Sequence, residues 1–404
     1  MRATRWLRAG AGAGVMTLAA GLAVSMSMTL PSSATATTPA KKSFAAATFT
    51  TKLGGVCPNP LIVQTNWLPE SDHGGLYELI GSGGTMKQYS YKGPLGSTGI
   101  DLQILSGGPG DSYLPTAATL YTGNPVAGVT ADLTEDSTET TLQLSKKFPT
   151  IGVVALQDHD PQILIYDPSK FSNLSTIPDL IKAAHEGANF YVTALTTVYV
   201  QYLIKAGVPQ SAFIGGYSGD LEKFVTGSGL IINQGYSDSE PYTLAHDTPA
   251  WGGKPIKYTY VYKLGLNDYP SSVQVATSKL KQMTPCLKKL VPMIQTAEVD
   301  YAKSPTTVDK VLARFNPTYS ASYWTTPAAE SAWAINLQKS QDIVGNGING
   351  NGAAGEYDLL RMTAMIRTLL PIFAIESPGT YNPDATASEL VTNKFIDKSI
   401  RYPS

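Results

Sequence analysis

Residues 61–80 read LIVQTNWLPESDHGGLYELI. Leu61, Ile62 and Val63 open an apolar, β-branched run whose alternation continues to Asn66, the pattern of a short buried strand. A polar turn with Pro69 follows. Gly74 and Gly75 then lead into Leu76, Leu79 and Ile80, apolar positions at helical spacing. Trp67, Glu70, Asp72 and His73 therefore fall in a strand-to-helix loop. In an open α/β sheet such loops lie at the carboxyl ends of strands, where ligands bind. One loop thus offers an indole face, two carboxylates and an imidazole. The plainer alternative is that Trp67 caps a core and His73 caps the helix.

Working outward, residues 100–105 alternate cleanly as a second strand and run into Gly107, Gly108 and Pro109. Glycines there let backbone amides approach a ligand, or simply make a tight turn. Residues 125–131 read as a short third strand or connection, and 136–146 as a polar helix. Residues 150–156 and 162–166 are two buried strands joined by a short polar stretch. Asp158, His159 and Asp160 in that stretch suggest a metal site only weakly, because three consecutive side chains do not converge on one ion. Thr196 and Thr197 precede an apolar helix over 198–206, as helix caps or as hydroxyls for a polar ligand group. Residues 229–236 form another strand, followed by Glu240, Pro241 and Tyr242. Glu240 is expected to point into a cleft with Tyr236 and Tyr242 beside it, or else to serve as a helix N-cap.

These motifs carry a resemblance. NWLPESDHGGLY (residues 66–77), the Gly-Gly-Pro after the second strand and Glu-Pro-Tyr at 240–242 resemble the extracytoplasmic solute-binding proteins of ABC importers, in particular those similar to thiamine-pyrimidine synthesis proteins. The resemblance covers roughly residues 60–300. It implies an α/β, two-lobed type 2 periplasmic-binding-protein fold with two crossover hinges, here with a helical C-terminal extension. The implied domains are lobe 1 over 58–160, lobe 2 over 161–262, and a return to lobe 1 plus C-terminal helices over 263–404. The ligand-binding residues it implies are Asn66, Trp67, Asp72, His73, Gly107, Gly108, Thr196, Thr197, Tyr236, Glu240 and Tyr242. At 194–197 the family often carries a Gly-Ser-Thr-like segment, and this chain has Ala-Leu-Thr-Thr instead.

Composition narrows the solute. The chain has 404 residues, a net charge of −1 and 15% charged residues, with no basic patch for nucleic acid. Arginine is absent from residue 9 to residue 313. A cleft built from residues 60–280 then lacks the usual bidentate clamp for carboxylate, sulfonate or phosphate. Aromatic residues with scattered carboxylates suit a heteroaromatic or amine-bearing solute, stacked on Trp67 or a tyrosine and held by Asp72 or Glu240. The expected partners are that solute and a membrane permease of an ABC importer. The protein is expected to act as a monomer, without cofactor or metal.

Arg2, Arg5 and Arg8 precede a small-residue apolar run over 9–30, and Ala34-Thr35-Ala36 is an A-x-A cleavage pattern, so residues 1–36 read as an export signal. Residues 37–57 read as a mobile arm. In an exported chain the two cysteines, Cys57 and Cys286, are a disulfide candidate, with two free thiols as the alternative. If oxidised, the pair requires residues near 57 and near 286 to share one lobe. An enzyme reading is disfavoured. No cysteine cluster of the related pyrimidine synthases is present, and Gly216-Tyr217-Ser218-Gly219-Asp220 fails the G-x-S-x-G pattern at its last glycine. A secreted sensor or surface-interaction protein on the same fold is the other alternative. Residues 345–355, GNGINGNGAAG, lack the lysine of a phosphate-binding loop. Helices are expected over 278–302, 306–315, 331–343, 357–373 and 388–400.

Overall fold

A computed structural model describes residues 49–315 and 326–403. The export signal expected over 1–36 lies outside the described residues. Among the described residues no helix is long and apolar enough to cross a membrane.

The chain builds a first sheet from β1 (Leu61–Gln64), β2 (Thr85–Lys87), β3 (Ser90–Pro94), β4 (Asp101–Leu105), β5 (Leu133–Asp136) and β6 (Thr150–Ala155). Helices α1 (Gly74–Glu78), α2 (Thr116–Thr122) and α3 (Thr138–Gln143) lie between these strands. It then crosses to a second sheet of β7 (Gln162–Tyr166), β8 (Asn189–Tyr191), β9 (Phe213–Ile214), β10 (Ile231–Tyr236) and β11 (Lys257–Tyr260). That sheet is interleaved with α4 (Ile177–His185), α5 (Val198–Lys205), α6 (Glu222–Thr226) and α7 (Glu240–His246). A second crossover returns the chain to the first sheet as β12 (Ser272–Ala276), and helices α8 (Leu280–Lys303), α9 (Thr306–Phe315), α10 (Ala328–Ser340), α11 (Leu359–Glu376) and α12 (Ala387–Leu390) follow.

The first sheet has the order β2-β3-β4-β1-β5-β12-β6, and the second β11-β7-β10-β8-β9. β1 pairs in parallel with β4 and β5, while β12 runs antiparallel between β5 and β6. This two-lobed α/β architecture, with the returning strand inserted antiparallel, is that of the type 2 periplasmic-binding fold, and the helical C-terminal extension is present. Parallel strands covered on both faces read as apolar runs, and Leu61, Val63, Leu102, Ile104 and Leu133 are buried in the first core against Leu287, Leu290, Val291 and Ile294 of α8. Leu164, Phe190 and Ile232 centre the second core, which α11 joins through Met362, Met365 and Leu369.

Gly74 and Gly75 show why α1 sits so close to α8. A Cβ on Gly74 would fall 2.1 Å from the Tyr301 ring, and one on Gly75 2.1 Å from Glu298. Only hydrogen fits at either position.

Several expectations are corrected. Residues 125–131, read as a short third strand or a connection, are a connection, and the strand that follows is β5, with Thr134, Glu135 and Asp136 all buried. Two acids in a four-residue strand hid it, since buried carboxylates are rare without partners. A β2–β3 hairpin, Thr85–Lys87 paired with Ser90–Lys92, precedes β4 at the edge of the first sheet. The terminal helix expected over 388–400 is one turn, Ala387–Leu390. Val391 then leaves it to bridge Gly152 of the first sheet, and Thr392 N–H donates to the Gly152 carbonyl at 2.8 Å.

Cys57 and Cys286 are joined in a disulfide across a separation of 229 residues, both on the first lobe. Closing so long a loop restricts the unfolded chain, a contribution of about 5 kcal/mol in the entropy model. The Cys57→Ser/Cys286→Ser double variant is expected to unfold at clearly lower urea concentration with an enlarged unfolded state. An unchanged midpoint in equilibrium urea unfolding would count against this contribution.

Candidate functional site

The loop after β1 and the loop after β10 meet between the two lobes. On the first lobe, Asn66 N–H donates to Glu135 Oε2 at 2.9 Å. His73 Nε2 lies 3.0 Å from Asn66 Oδ1 and 3.3 Å from Glu135 Oε2. His73 is 1% exposed and Glu135 is fully buried, so the imidazole is spent on the loop's own frame. Burial alone would lower the His73 imidazole; the hydrogen bond and charge of Glu135, with the charge of Glu70, turn it upward. Trp67 is partly buried. Its ring lies 6.2 Å from that of Tyr113, and a Cβ on Gly108 (φ +59°) would come within 3.0 Å of it. Gly107 is needed by the same packing: a Cβ there would meet the Asn66 carbonyl at 2.4 Å. Both glycines thus serve the close approach of two loops.

On the second lobe, Glu240 opens α7. Its Oε2 accepts from Tyr236 N–H at 2.6 Å, and its Oε1 accepts a short hydrogen bond from the Tyr217 hydroxyl. Burial pushes the Glu240 carboxyl up to about 7, against the pull of Tyr217 and the backbone amides. Tyr236 keeps 40% of its surface open. Burial and then the charges of Asp160, Glu240, Glu70 and Glu139 hold its hydroxyl well above the ordinary phenol range. Those four carboxylates come from the β1 loop, α3, the first crossover and α7. Glu70 is itself pushed up to about 8, by burial first and then by Asp238, Glu135 and Glu240, while His73 pulls it down. Asp160 reaches about 8 through burial and the charge of Asp268. Buried Glu135 Oε1 has no hydrogen-bond partner, an acceptor left without a donor among these acids.

The lobes are also joined directly. Gln338 of α10 donates through Nε2 to Asp72 in a short hydrogen bond, and to Asp238 Oδ2 at 2.7 Å. Tyr242 packs against Trp333 of the same helix, with ring centroids 5.5 Å apart, and against His246 at 4.0 Å. The structure therefore brings Asn66, Trp67, Asp72, His73, Gly107 and Gly108 together on one side, with Tyr236 and Glu240 facing them, and turns Tyr242 toward α10. Thr196 is exposed, and Thr197 donates its hydroxyl to the Ala194 carbonyl at 2.8 Å, the bond of a local turn. Sequence reasoning missed Glu135, Glu139, Asp160, Asp238 and Gln338 as members of this site. Glu70 stood in the first loop but was not selected.

The arginine argument also needs a correction. Confined to residues 60–280, it overlooked Arg361 of α11, which reaches back to the hinge. Arg361 pairs with Asp158 at 3.0 Å, donates to the Asn267 carbonyl at 3.2 Å and makes short bonds to the Asp158 and Asp268 carbonyls. Its guanidinium also lies 3.9 Å over the Tyr269 ring. With its N–H groups so engaged it is a structural clamp on the crossovers. His159 stacks on Tyr262 at 4.6 Å, and Asp160 Oδ1 accepts from Gln162 N–H at 2.7 Å. Beside the clamp is a cavity of about 250 Å³ lined by Asp158, His159, Asn267, Asn349, Asp358 and Arg361 among others.

No family model matches the chain, and no curated protein matches it. Among solved structures it is similar to the periplasmic nitrate-binding protein NrtA from Synechocystis PCC 6803, at 14% identity and a TM-score of 0.49, over 84% of this chain and 88% of that one. It is also similar to a zinc-bound ligand-binding component of an ABC-type import system from Staphylococcus aureus (8% identity, TM-score 0.48, 83% and 97% covered). A third is the alkanesulfonate-binding protein SsuA from Xanthomonas axonopodis pv. citri bound to MOPS (10%, 0.45, 83% and 100%). All three are binding proteins. Identities and scores this low say nothing of the solute, which has to be read from the site's own residues.

Proposed function

We propose that the protein is an exported solute-binding protein that takes an amine-bearing, cationic solute between its lobes and delivers it to an ABC permease. The lobes proposed are 58–160 with the return after 263, and 161–262. The observation that supports the solute class is the set of four carboxylates around Tyr236, drawn from both lobes. An ammonium would favour the ionised form of these carboxyls, which burial otherwise holds protonated, and an anion would oppose it. The partly exposed Trp67 and Tyr236 suit a flat or apolar body attached to the amine. His73 and Asn66 hold the loop in shape and are not proposed as ligand contacts.

Thermal-shift and calorimetric titration with benzylamine and 1,4-diaminobutane, against nitrate and taurine, tests this reading. Stabilisation by an amine and none by the nitrate or taurine is expected. Glu70→Gln keeps the side chain's shape and removes the charge it can take on beside an ammonium, so it should weaken amine binding on the order of tenfold or more. Trp67→Ala should abolish the benzylamine shift. Stabilisation by nitrate or taurine alone would reverse the assignment of solute class.

A further inference from the structure

The solute-binding reading leaves one contact unused, and it is the only side chain described here that hydrogen-bonds carboxylates of both lobes at once. Gln338 comes from α10, in the C-terminal extension rather than in either lobe's sheet. Its amide nitrogen has two protons, and two carboxylates receive them: Asp72, from the loop after β1, and Asp238, from the loop after β10. Gln338 is 1% exposed, and its Oε1 has no hydrogen-bond partner. A carboxamide seated with a satisfied NH2 and an orphaned carbonyl is positioned by the acids and not by its own helix. The rest of α10 spans the same gap. Trp333 lies on Tyr242 of α7, and Glu330 is held near Ser239 by a side-chain hydrogen bond.

We propose that α10 is a built-in strap which closes the unliganded cleft by placing the Gln338 NH2 group between Asp72 and Asp238, where a solute ammonium would otherwise sit. This rests on the cationic reading for the identity of the displaced group, and on the two hydrogen bonds alone for the closure. The amide is a neutral donor to two acids that burial holds toward their protonated forms and that hydrogen-bond each other, so it strengthens the link between the lobes without adding the positive charge that would ionise them. An ammonium offers one more proton and a full positive charge at the same place, and displaces the amide. Solute entry then requires the strap to lift, and the measured affinity is the intrinsic affinity reduced by the fraction of molecules with the strap lifted.

The test uses the full chain with Gln338→Ala and Gln338→Glu, each checked for native circular dichroism. Small-angle scattering of the unliganded proteins should give a larger radius of gyration for Gln338→Ala than for the parent. It should be larger again at pH 8 for Gln338→Glu, which sets a third carboxylate between two others. Calorimetric titration with 1,4-diaminobutane should show binding to Gln338→Ala about tenfold tighter, as expected when a strap populated nine parts in ten is removed. An unchanged radius in both variants would overturn the proposal. Weaker amine binding by Gln338→Ala would also overturn it, because Gln338 would then be a solute contact and not a competitor. If neither protein binds the diamine, the cationic reading falls by itself, and the scattering comparison still decides whether α10 holds the cleft shut.

Discussion

Raising the pH from 5 to 8 should lower the thermal midpoint of the unliganded protein. Glu70 and Asp160 sit near 8 and Glu240 near 7 in the folded state, against 4.5 for glutamate and 3.8 for aspartate in the unfolded chain. A carboxyl whose folded pKa is raised holds its proton better when folded. Its contribution is complete below the unfolded value and is lost as pH climbs through the folded one. The window from these three groups therefore runs from about pH 4.5 to about pH 8. His73, raised in the fold, works in the same direction, because its protonated form is favoured and is lost as pH rises. His159 is lowered and opposes the trend around its ordinary value. Asp397 is lowered too, but its range lies below the window. One pKa unit corresponds to about 1.4 kcal/mol. Several coupled groups should then cost a few kcal/mol in sum, after the acids share protons among themselves. Scanning calorimetry at pH 5, 6.5 and 8 in one ionic strength measures this. A midpoint that rises across the interval would contradict the acidic interior. Benzylamine or 1,4-diaminobutane should recover most of the loss at pH 8, where the carboxylates are charged, and little at pH 5.

The strand-loop-helix at 61–80 was legible because its signals agree: an apolar run, a proline turn and a helical repeat. It placed Asn66, Trp67, Asp72 and His73 on one loop. It could not say that His73 turns inward, since that depends on Glu135, sixty-two residues further on. Glu135 was illegible because it lies on a strand with two acids in four residues, LTED, which looks like surface by composition. The pairing of β1 with β5 and the partner His73 are what make it a core position. Glu240 with Tyr236 was readable from a buried strand followed by Glu-Pro-Tyr, a proline at the start of a helix. The C-terminal extension was least legible. Its helices α9 and α11 show in their periodicity, but no local pattern tells that Gln338 and Arg361 reach a cleft and a hinge built far earlier in the chain, at separations of up to 266 and 203 residues. Long-range tertiary contacts of single polar side chains leave no periodic trace.

Arg361→Met should destabilise the fold more than any other single substitution near the cleft. The guanidinium ties Asp158 of the first crossover to the Asn267 and Asp268 carbonyls of the second, so one side chain fixes both connections between lobes. Arg361 and Asp158 have side chains only 11% and 14% exposed, so solvent screens the pair poorly. Removing one member of a buried pair leaves the other charge without its partner, at a cost of about 3–5 kcal/mol. Methionine fills much of the volume and keeps the helix, so the loss is of charge and hydrogen bonds more than of packing. The same charge now restrains Asp268, which burial pushes up to about 6 and Arg361 pulls down, and it pulls down Asp160 as well. Without it both acids should titrate higher, and the destabilisation should be largest at pH 8 and smaller at pH 5. Urea unfolding of the variant at both pH values measures the effect. A loss below about 1 kcal/mol, of the size surface ion pairs give, would mean that the crossovers are held by their own backbone. A loss independent of pH would mean that the arginine acts through the Asp158 pair, its carbonyl hydrogen bonds and its packing over Tyr269 rather than through its charge on Asp268 and Asp160.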